Sequence, residues 1–402
     1  MIFLDINTFY YASDGGVKTF YDAKIEWFKK HPEHQYLLVF PNHRLKVEKL
    51  APNVHKVQVF GVKGIIGKNR LLMADYWKVL KLVRKVKPDV VEIGDPLLTP
   101  FFAIFARRIG AIKGVLSSFH HSNPLHTYVY PWAYGEQSNL FKRFVAWLST
   151  TVYLCSHLRV PYSMVASETL KQNLGQMGIK NIEVKPFGVQ DIFFNHSRIR
   201  TPGEKRLLFA GRLEHEKGIY LLKKVIPPLL ETHGVHITVM GRGAHENFFK
   251  TFKHRCFQYL GYIEDRGKVE SIYRQNSIFL APGPFETFGI GVLEAMANGM
   301  IIVGPNQGGT GEILAAMNSP FIFAAHNVES FYETILKALH SDLEQESKRS
   351  IKKSKDFNTW EIAIGQMIDS YIQKGGGSPK EVKQHHPKKK KVNEQENPDF
   401  AA

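Results

Sequence analysis

Short apolar runs alternate with longer amphipathic stretches along this chain, and the alternation occurs twice. In the first half, Ile2 to Ile6, Gln35 to Phe40, Val54 to Phe60, Val90 to Ile93, Gly114 to Phe119, Ser163 to Ser167 and Glu183 to Pro186 read as strands. Between them, Lys18 to Lys30, Leu71 to Lys87, Pro100 to Arg108, Leu140 to Cys155 and Glu168 to Met177 carry helical periodicity. Phe20, Ala23, Ile25, Trp27 and Phe28, for instance, recur at helical spacing. The second half repeats the scheme. Strands are expected at 206–210, 236–240, 257–261, 278–281, 300–303 and 321–324. Helices are expected at 219–232, 267–274, 292–297, 312–317, 329–340, 342–355 and 360–373. Pro227-Pro228 should kink or split the first of these, because proline removes a helical hydrogen bond and clashes with the preceding turn. Gln307 to Gly311 reads as a glycine-rich turn. Strands alternating with helices in both halves predict an α/β chain: two doubly wound parallel sheets, each with helices on both faces.

Domain boundaries follow from breaks in the pattern. Residues 1–189 form the first expected domain, and turn formers and charge from Gln190 to Lys205 open the second, 190–357. Helix 358–373 stands after it. The tail, 374–402, holds Lys388 to Lys391 and too few apolar residues to fold, so disorder is expected.

Composition narrows the setting. With 402 residues and 44% hydrophobic positions, the chain can bury two ordinary cores. The two cysteines, Cys155 and Cys256, make no disulfide framework, which points to a reducing, cytoplasmic setting. The N-terminus reads as a first strand and not as a secretion signal. The longest apolar runs, such as Leu97 to Ala106, reach about half a bilayer span. A net charge of +16 asks for an anionic partner, with phosphorylated small molecules, an anionic membrane surface and nucleic acid as candidates. Nothing resembles a helix-turn-helix, zinc finger or RNP motif, so no nucleic-acid partner is expected. The helix 71–87 shares Lys78, Lys81 and Lys85 on one side. It either lies on anionic headgroups at the inner face of the plasma membrane or is a core helix with a solvated charged face. The tail lysines pose the same choice between tether and solvated run.

The densest chemistry lies in FETFGIGVLEAMANGMIIVGPNQGGTGE, residues 285–312. Glu286 and Glu294 stand eight positions apart around Gly289 and Gly291. A helix starting near Phe288 to Ile290 would present free N–H groups and a positive dipole end, which suits phosphate. Were the interval wholly helical, the carboxylates would be roughly 12 Å apart along the axis. That matches the span from a ribose across a diphosphate to a hexose. Arg212 and Lys217, in GRLEHEKG, are two cations beside another helix start, an anion clamp in which Arg forks onto oxygens. Gly15-Gly16 lies between a strand and a helix, where glycine lets backbone N–H groups approach a ligand. His120 ends a strand, where α/β sheets bind ligands. Each feature alone also has a structural reading as a solvated charge or an ordinary loop.

Taken together these motifs resemble one family. GGV (15–17), SSFHH (117–121), FAGRLEHEKG (209–218), TVMGRG (238–243), FETFGIGVLEAMANG (285–299) and GGTGEIL (308–314) stand in the order and spacing of the retaining, nucleotide-sugar-dependent glycosyltransferases of family 4, which have the two-domain GT-B fold. The resemblance covers residues 1 to 373. It implies that Arg212 and Lys217 hold the donor diphosphate and that Glu294 accepts from the ribose. Glu286 would accept from the transferred sugar. Backbone N–H groups of Phe288, Gly289 and Ile290 would face phosphate or sugar, and Gly16 would close on the β-phosphate from the other domain. His120 would orient the sugar at the anomeric carbon. The resemblance further implies retention of configuration, no bound metal and no cofactor beyond the nucleotide-sugar co-substrate. The last helix would cross back onto the first domain, and the interdomain cleft would open and close. Two positions depart from the family pattern: Phe187-Gly188-Val189, where Asn often precedes the glycine, and Arg242, where an acidic residue is common.

The expected activity is transfer of a hexose from a UDP- or GDP-linked donor to a lipid or surface-glycan acceptor at the cytoplasmic membrane face. A sugar-nucleotide epimerase of the same fold and a non-catalytic nucleotide-sugar-binding homologue are the alternatives. A phosphorylase would need a pyridoxal-binding lysine setting that the sequence lacks.

Overall fold

The computed structural model describes residues 1–10, 15–63, 71–96, 98–135, 138–194 and 205–376. Most of the expected linker 190–205, the tail beyond residue 376, and parts of the loops at 11–17 and 61–67 lie outside the described residues.

Among the described residues, nine strands form the first sheet. They are β1 (Ile2–Ile6), β2 (Gln35–Asn42), β3 (Lys46–Ala51), β4 (Val54–Lys63), β5 (Leu71–Met73), β6 (Val90–Ile93), β7 (Val115–His120), β8 (Tyr162–Val165) and β9 (Ile182–Val184). Their order is β3-β4-β2-β1-β6-β7-β8-β9, with β5 also on β4. From β4 to β9 the pairings are parallel. The second sheet holds β10 (Arg206–Ala210), β11 (His236–Met240), β12 (Phe257–Gly261), β13 (Ile278–Leu280), β14 (Ile301–Pro305) and β15 (Ile322–Phe323). Its order is β12-β11-β10-β13-β14-β15, parallel throughout. Parallel strands covered on both faces read as continuous apolar runs, and β6 and β14 are buried along their whole length.

The helices of the first half are α1 (Gly16–Lys30), α2 (Tyr76–Val86), α3 (Thr99–Arg108), α4 (Tyr130–Tyr134), α5 (Leu140–His157) and α6 (Glu168–Gln176). A π-helical turn, Leu125–Val129, precedes α4. The second half carries α7 (Ile219–Thr232), α8 (Glu246–Thr251), α9 (Arg266–Gln275), α10 (Ile290–Ala297), α11 (Gly308–Ala316), α12 (Val328–Leu339) and α13 (Leu343–Ser354). The final helix, α14 (Trp360–Lys374), packs against α1 of the first half. Val189 N–H donates to the Asn358 carbonyl at 2.9 Å where the two crossings meet. Tyr371 on α14 donates to Glu92 on β6 at 2.6 Å. An aromatic column joins the halves: Phe187 lies 5.3 Å from Phe20, 5.6 Å from Trp360 and 5.1 Å from Phe288.

Four expectations need correction. The first sheet is not wholly parallel, because β3 and β5 run antiparallel to β4. A two-residue turn, Pro52-Asn53, joins β3 to β4, and such a turn can only connect antiparallel neighbours. The basic helix begins at Tyr76 and not Leu71, since Asp75 caps it by accepting from Lys78 N–H and Leu71–Met73 is spent on β5. Helix α7 runs unsplit through Pro227 and Pro228, held by the buried face Leu221, Leu222, Val225, Ile226, Leu229 and Leu230. The glycine run at 308–311 is not a free turn but the first turn of α11. Its glycines serve close packing: a Cβ on Gly309 would sit 2.6 Å from Phe288 Cα, and Gly309 N–H donates to the Glu286 carbonyl at 2.6 Å.

Candidate functional site

A cavity of about 1050 Å³ lies between the two sheets, at the C-terminal ends of β7, β10, β11 and β13. That is at the upper end of the range for small-molecule sites. All nine residues singled out from the sequence line it: Gly16 and His120 from the first half, and Arg212, Lys217, Glu286, Phe288, Gly289, Ile290 and Glu294 from the second.

The second-half wall is built around the start of α10. Gly289 takes the left-handed conformation, φ 85°, and ends the loop from β13, so the helix begins at Ile290, on the cavity wall. A β-carbon there would be strained, which is why glycine occupies the position. Glu286 precedes this start and forms an ion pair with Lys217. Burial works against its charge, but Lys217, Arg212 and the Gly289 N–H together bring its pKa below the usual carboxylate value. Arg212 bonds Glu216 at 2.9 Å. Burial opposes the Arg212 charge too, yet the Tyr128 hydroxyl from the first half and Glu216 outweigh it and raise its pKa. Glu294, on α10, is nearly fully buried and paired with Arg266 at the start of α9. For this carboxylate burial prevails over Arg266 and the pKa rises. The family-departing Arg242 borders the same cavity with its guanidinium over the Tyr262 ring, 4.6 Å from the centroid.

The first-half wall carries fewer charged side chains. Gly16 is the first residue of α1, and a Cβ on it would touch Ile290 Cδ1 at 3.6 Å, so the starts of α1 and α10 face each other across the cleft. His120 ends β7 with its ring buried, Nδ1 3.1 Å from the Tyr153 hydroxyl and Nε2 3.4 Å from Ser163 Oγ. Burial lowers its pKa to about 4, so the imidazole is neutral at neutral pH. His121 beside it packs on Phe20 at 5.0 Å, and burial, aided by the Lys24 charge, takes its pKa to about 3.

The floor of the cleft is pinned by direct bonds between the halves. Thr287 Oγ1 donates to the His121 carbonyl at 2.8 Å, and Ser167 Oγ donates to the Thr287 carbonyl at 2.6 Å. Glu312 on α11 accepts from Thr169 N–H at 2.9 Å and Oγ1 at 2.8 Å, adding a carboxylate to the N-terminus of α6. These are the residues that reading the sequence missed, along with Arg266 and Tyr128. Thr287 lay inside the glutamate motif and Glu312 inside GGTGEIL, so their place in those motifs was the available signal. Arg266 and Tyr128 carried none, because only the fold brings them to the cleft.

This arrangement places Glu286 and Glu294, the four cations Arg212, Lys217, Arg242 and Arg266, and a helix start around one cavity. Carboxylates accept from pairs of hydroxyls, and the cations and dipole end suit phosphate oxygens.

The comparisons with known proteins agree with that chemistry. Residues 15–191 match the family model for Glycosyltransferase Family 4, and residues 191–357 match that for Glycosyl transferases group 1. A glycogen synthase of Bacillus licheniformis is 32% identical over 142 residues, covering 32% of this chain and 29% of that protein. The chain thus aligns with such curated relatives over about 30% of their length. A GDP-mannose-dependent alpha-mannosyltransferase of Corynebacterium glutamicum is 21% identical over 314 residues, 73% of this chain and 69% of that one. Among solved structures, Anabaena HepE in complex with UDP superimposes with a TM-score of 0.66 at 12% identity, covering 93% of this chain and 100% of that one, a likeness of fold.

Proposed function

The chain belongs to the family 4 glycosyltransferases of GT-B fold, and on that premise we propose that it transfers a hexose from a nucleoside-diphosphate sugar to a lipid or surface-glycan acceptor. The observation that carries the reading is convergence: residues far apart in sequence, from both halves, border one cavity in the pattern a sugar nucleotide requires. Arg212 and Lys217 would hold the diphosphate together with the start of α10. Glu294 would accept from the ribose, with Arg266 fixing its position. Glu286 would accept from hydroxyls of the hexose. Neutral His120, its Nδ1 held by Tyr153, would exchange its long Nε2 contact with Ser163 for a bond to the sugar near its anomeric carbon.

In the reaction the bond from the anomeric carbon to the β-phosphate oxygen breaks, and an acceptor hydroxyl oxygen bonds that carbon on the same face. The acceptor proton leaves with the released nucleoside diphosphate. Charge develops on the departing diphosphate, where the fixed cations and helix start favour it most. The cytoplasmic face of a membrane is the setting we assign to the reaction.

A thermal-shift screen against UDP-, GDP- and ADP-sugars tests this reading, since a ligand held by the native state at 100 times its Kd adds about 2.7 kcal/mol of stability. One nucleotide class should raise the melting temperature clearly above the others, and a flat response to all three would overturn the reading. Release of free nucleoside diphosphate only when acceptor is present separates transfer from epimerisation.

A further inference from the structure

Two adjacent helices of the first half wear their apolar residues on the outside. In α5 the residues packed against the protein are Ala146, Tyr153, Ser156 and His157, a small and polar set. The exposed stripe is Phe141, Phe144, Leu148 and Val152, with Phe141 70% and neighbouring Trp147 60% exposed. This inverts the usual surface helix, whose apolar stripe faces the core. Helix α3 packs beside α5 and repeats the inversion: Leu98, Phe101, Phe105 and Ile109 recur every three to four residues along it and are all exposed. Two outward stripes on neighbouring helices form one apolar face, and such a face marks an interaction site.

Its chemistry selects the occupant. From residue 96 to 167 the sequence has six Lys and Arg and one acidic residue, Glu136. Arg107, Arg108, Arg143 and Arg159 are exposed around the apolar stripes. Aromatics lie under cations at the edge: Lys142 over Trp132 at 5.6 Å and Arg143 over Tyr134 at 5.9 Å. Aromatic rings mixed with Lys and Arg beside aliphatic residues are what the headgroup region of an anionic bilayer accommodates. The face is also continuous with the cleft, because Leu148 and Val152 both line the cavity. Helix α2 is built the other way, burying Val79, Leu80 and Val83 and turning its lysines outward.

We propose that the outer face of α3 and α5 docks the chain on an anionic bilayer, so that an acceptor carried on a membrane lipid enters the cavity past Leu148 and Val152. This rests on the transferase reading and names the surface through which the acceptor arrives. The test is flotation of the full chain with vesicles of phosphatidylcholine alone and with about a third phosphatidylglycerol. Wild type should float with the anionic vesicles, and Phe144→Ser/Trp147→Ser should cut the bound fraction about tenfold. Both positions are exposed and lie outside the cavity lining, so the variant should keep the wild-type thermal shift with the donor nucleotide. Wild type that stays off both vesicles while its nucleotide shift persists overturns this inference and leaves the transferase reading standing. So does binding that survives the double variant but is lost in Lys81→Glu/Lys85→Glu on α2. A self-associating wild type that becomes monomeric in the double variant, with no vesicle binding, assigns the face to a second copy and overturns it too.

Discussion

The carboxylates and cations under α1 and those at the cleft differ in what surrounds them. Under α1, Lys24 bonds Asp5 at 2.5 Å and Glu92 at 3.0 Å, with all three side chains at most 2% exposed. Tyr36 and Tyr371 donate to the same carboxylates, so the cluster is satisfied by protein alone. At the cleft, Lys217 and Glu286 form a similar pair, but each is 25% exposed and both border a cavity. The sealed cluster ties β1, β6, α1 and α14 into one unit, which makes it a structural device. The cleft pair sets one cation against one carboxylate at an open wall, where, on the proposed function, an incoming diphosphate and sugar would take over the partners. Pairing alone therefore says little about role; access decides it.

The comparison breaks first at Glu286. Glu286→Ala should lower turnover by about 10²–10³-fold, the loss expected when a group that serves the transition state is removed, while the melting temperature changes little. Unchanged turnover would remove Glu286 from the chemistry. The reverse pattern belongs to Lys24. Lys24→Met leaves two buried carboxylates facing each other and should cost about 3–5 kcal/mol in urea unfolding, the range for breaking a buried pair. A loss under about 1 kcal/mol would mean that the cluster is not the tie described.

A smaller effect follows from the buried histidines at the boundary between the two regions. His120 and His121 have folded pKa values of about 4 and about 3, below the ordinary 6.5. Folding therefore excludes protons, so their share of stability is complete above pH 6.5 and falls as the pH drops toward 4 for His120 and toward 3 for His121. Melting temperatures should decline over that interval, and His121→Phe, set among Phe20, Phe119 and Phe187, should flatten the decline. An identical pH profile for the variant would contradict this account of His121.

Much of the architecture was legible because parallel strands and amphipathic helices leave strong periodic signals. The cleft was legible because Glu286, Glu294, Arg212 and Lys217 sit in glycine-marked loops. What escaped depends on tertiary contact. Residues Leu71 to Met73 look like the start of a helix until β4 is there to pair with them. The glycines at 308–311 look like a turn until the Glu286–Phe288 backbone is there to pack against. The sealed Lys24 cluster joins residues 5, 24 and 92, a spacing with no local signature. The apolar stripe of α5 read as an ordinary aromatic-rich helix, because periodicity reports a face and not the direction in which it points.

On the proposed function the cleft pairs divide the donor between them, phosphate to Arg212 and Lys217, sugar to Glu286. The most direct measurement is the thermal shift of Glu286→Ala and Arg212→Ala with the nucleoside diphosphate that the donor screen selects. The shift should stay close to wild type in Glu286→Ala and be strongly reduced in Arg212→Ala. A shift lost in Glu286→Ala and kept in Arg212→Ala would contradict it.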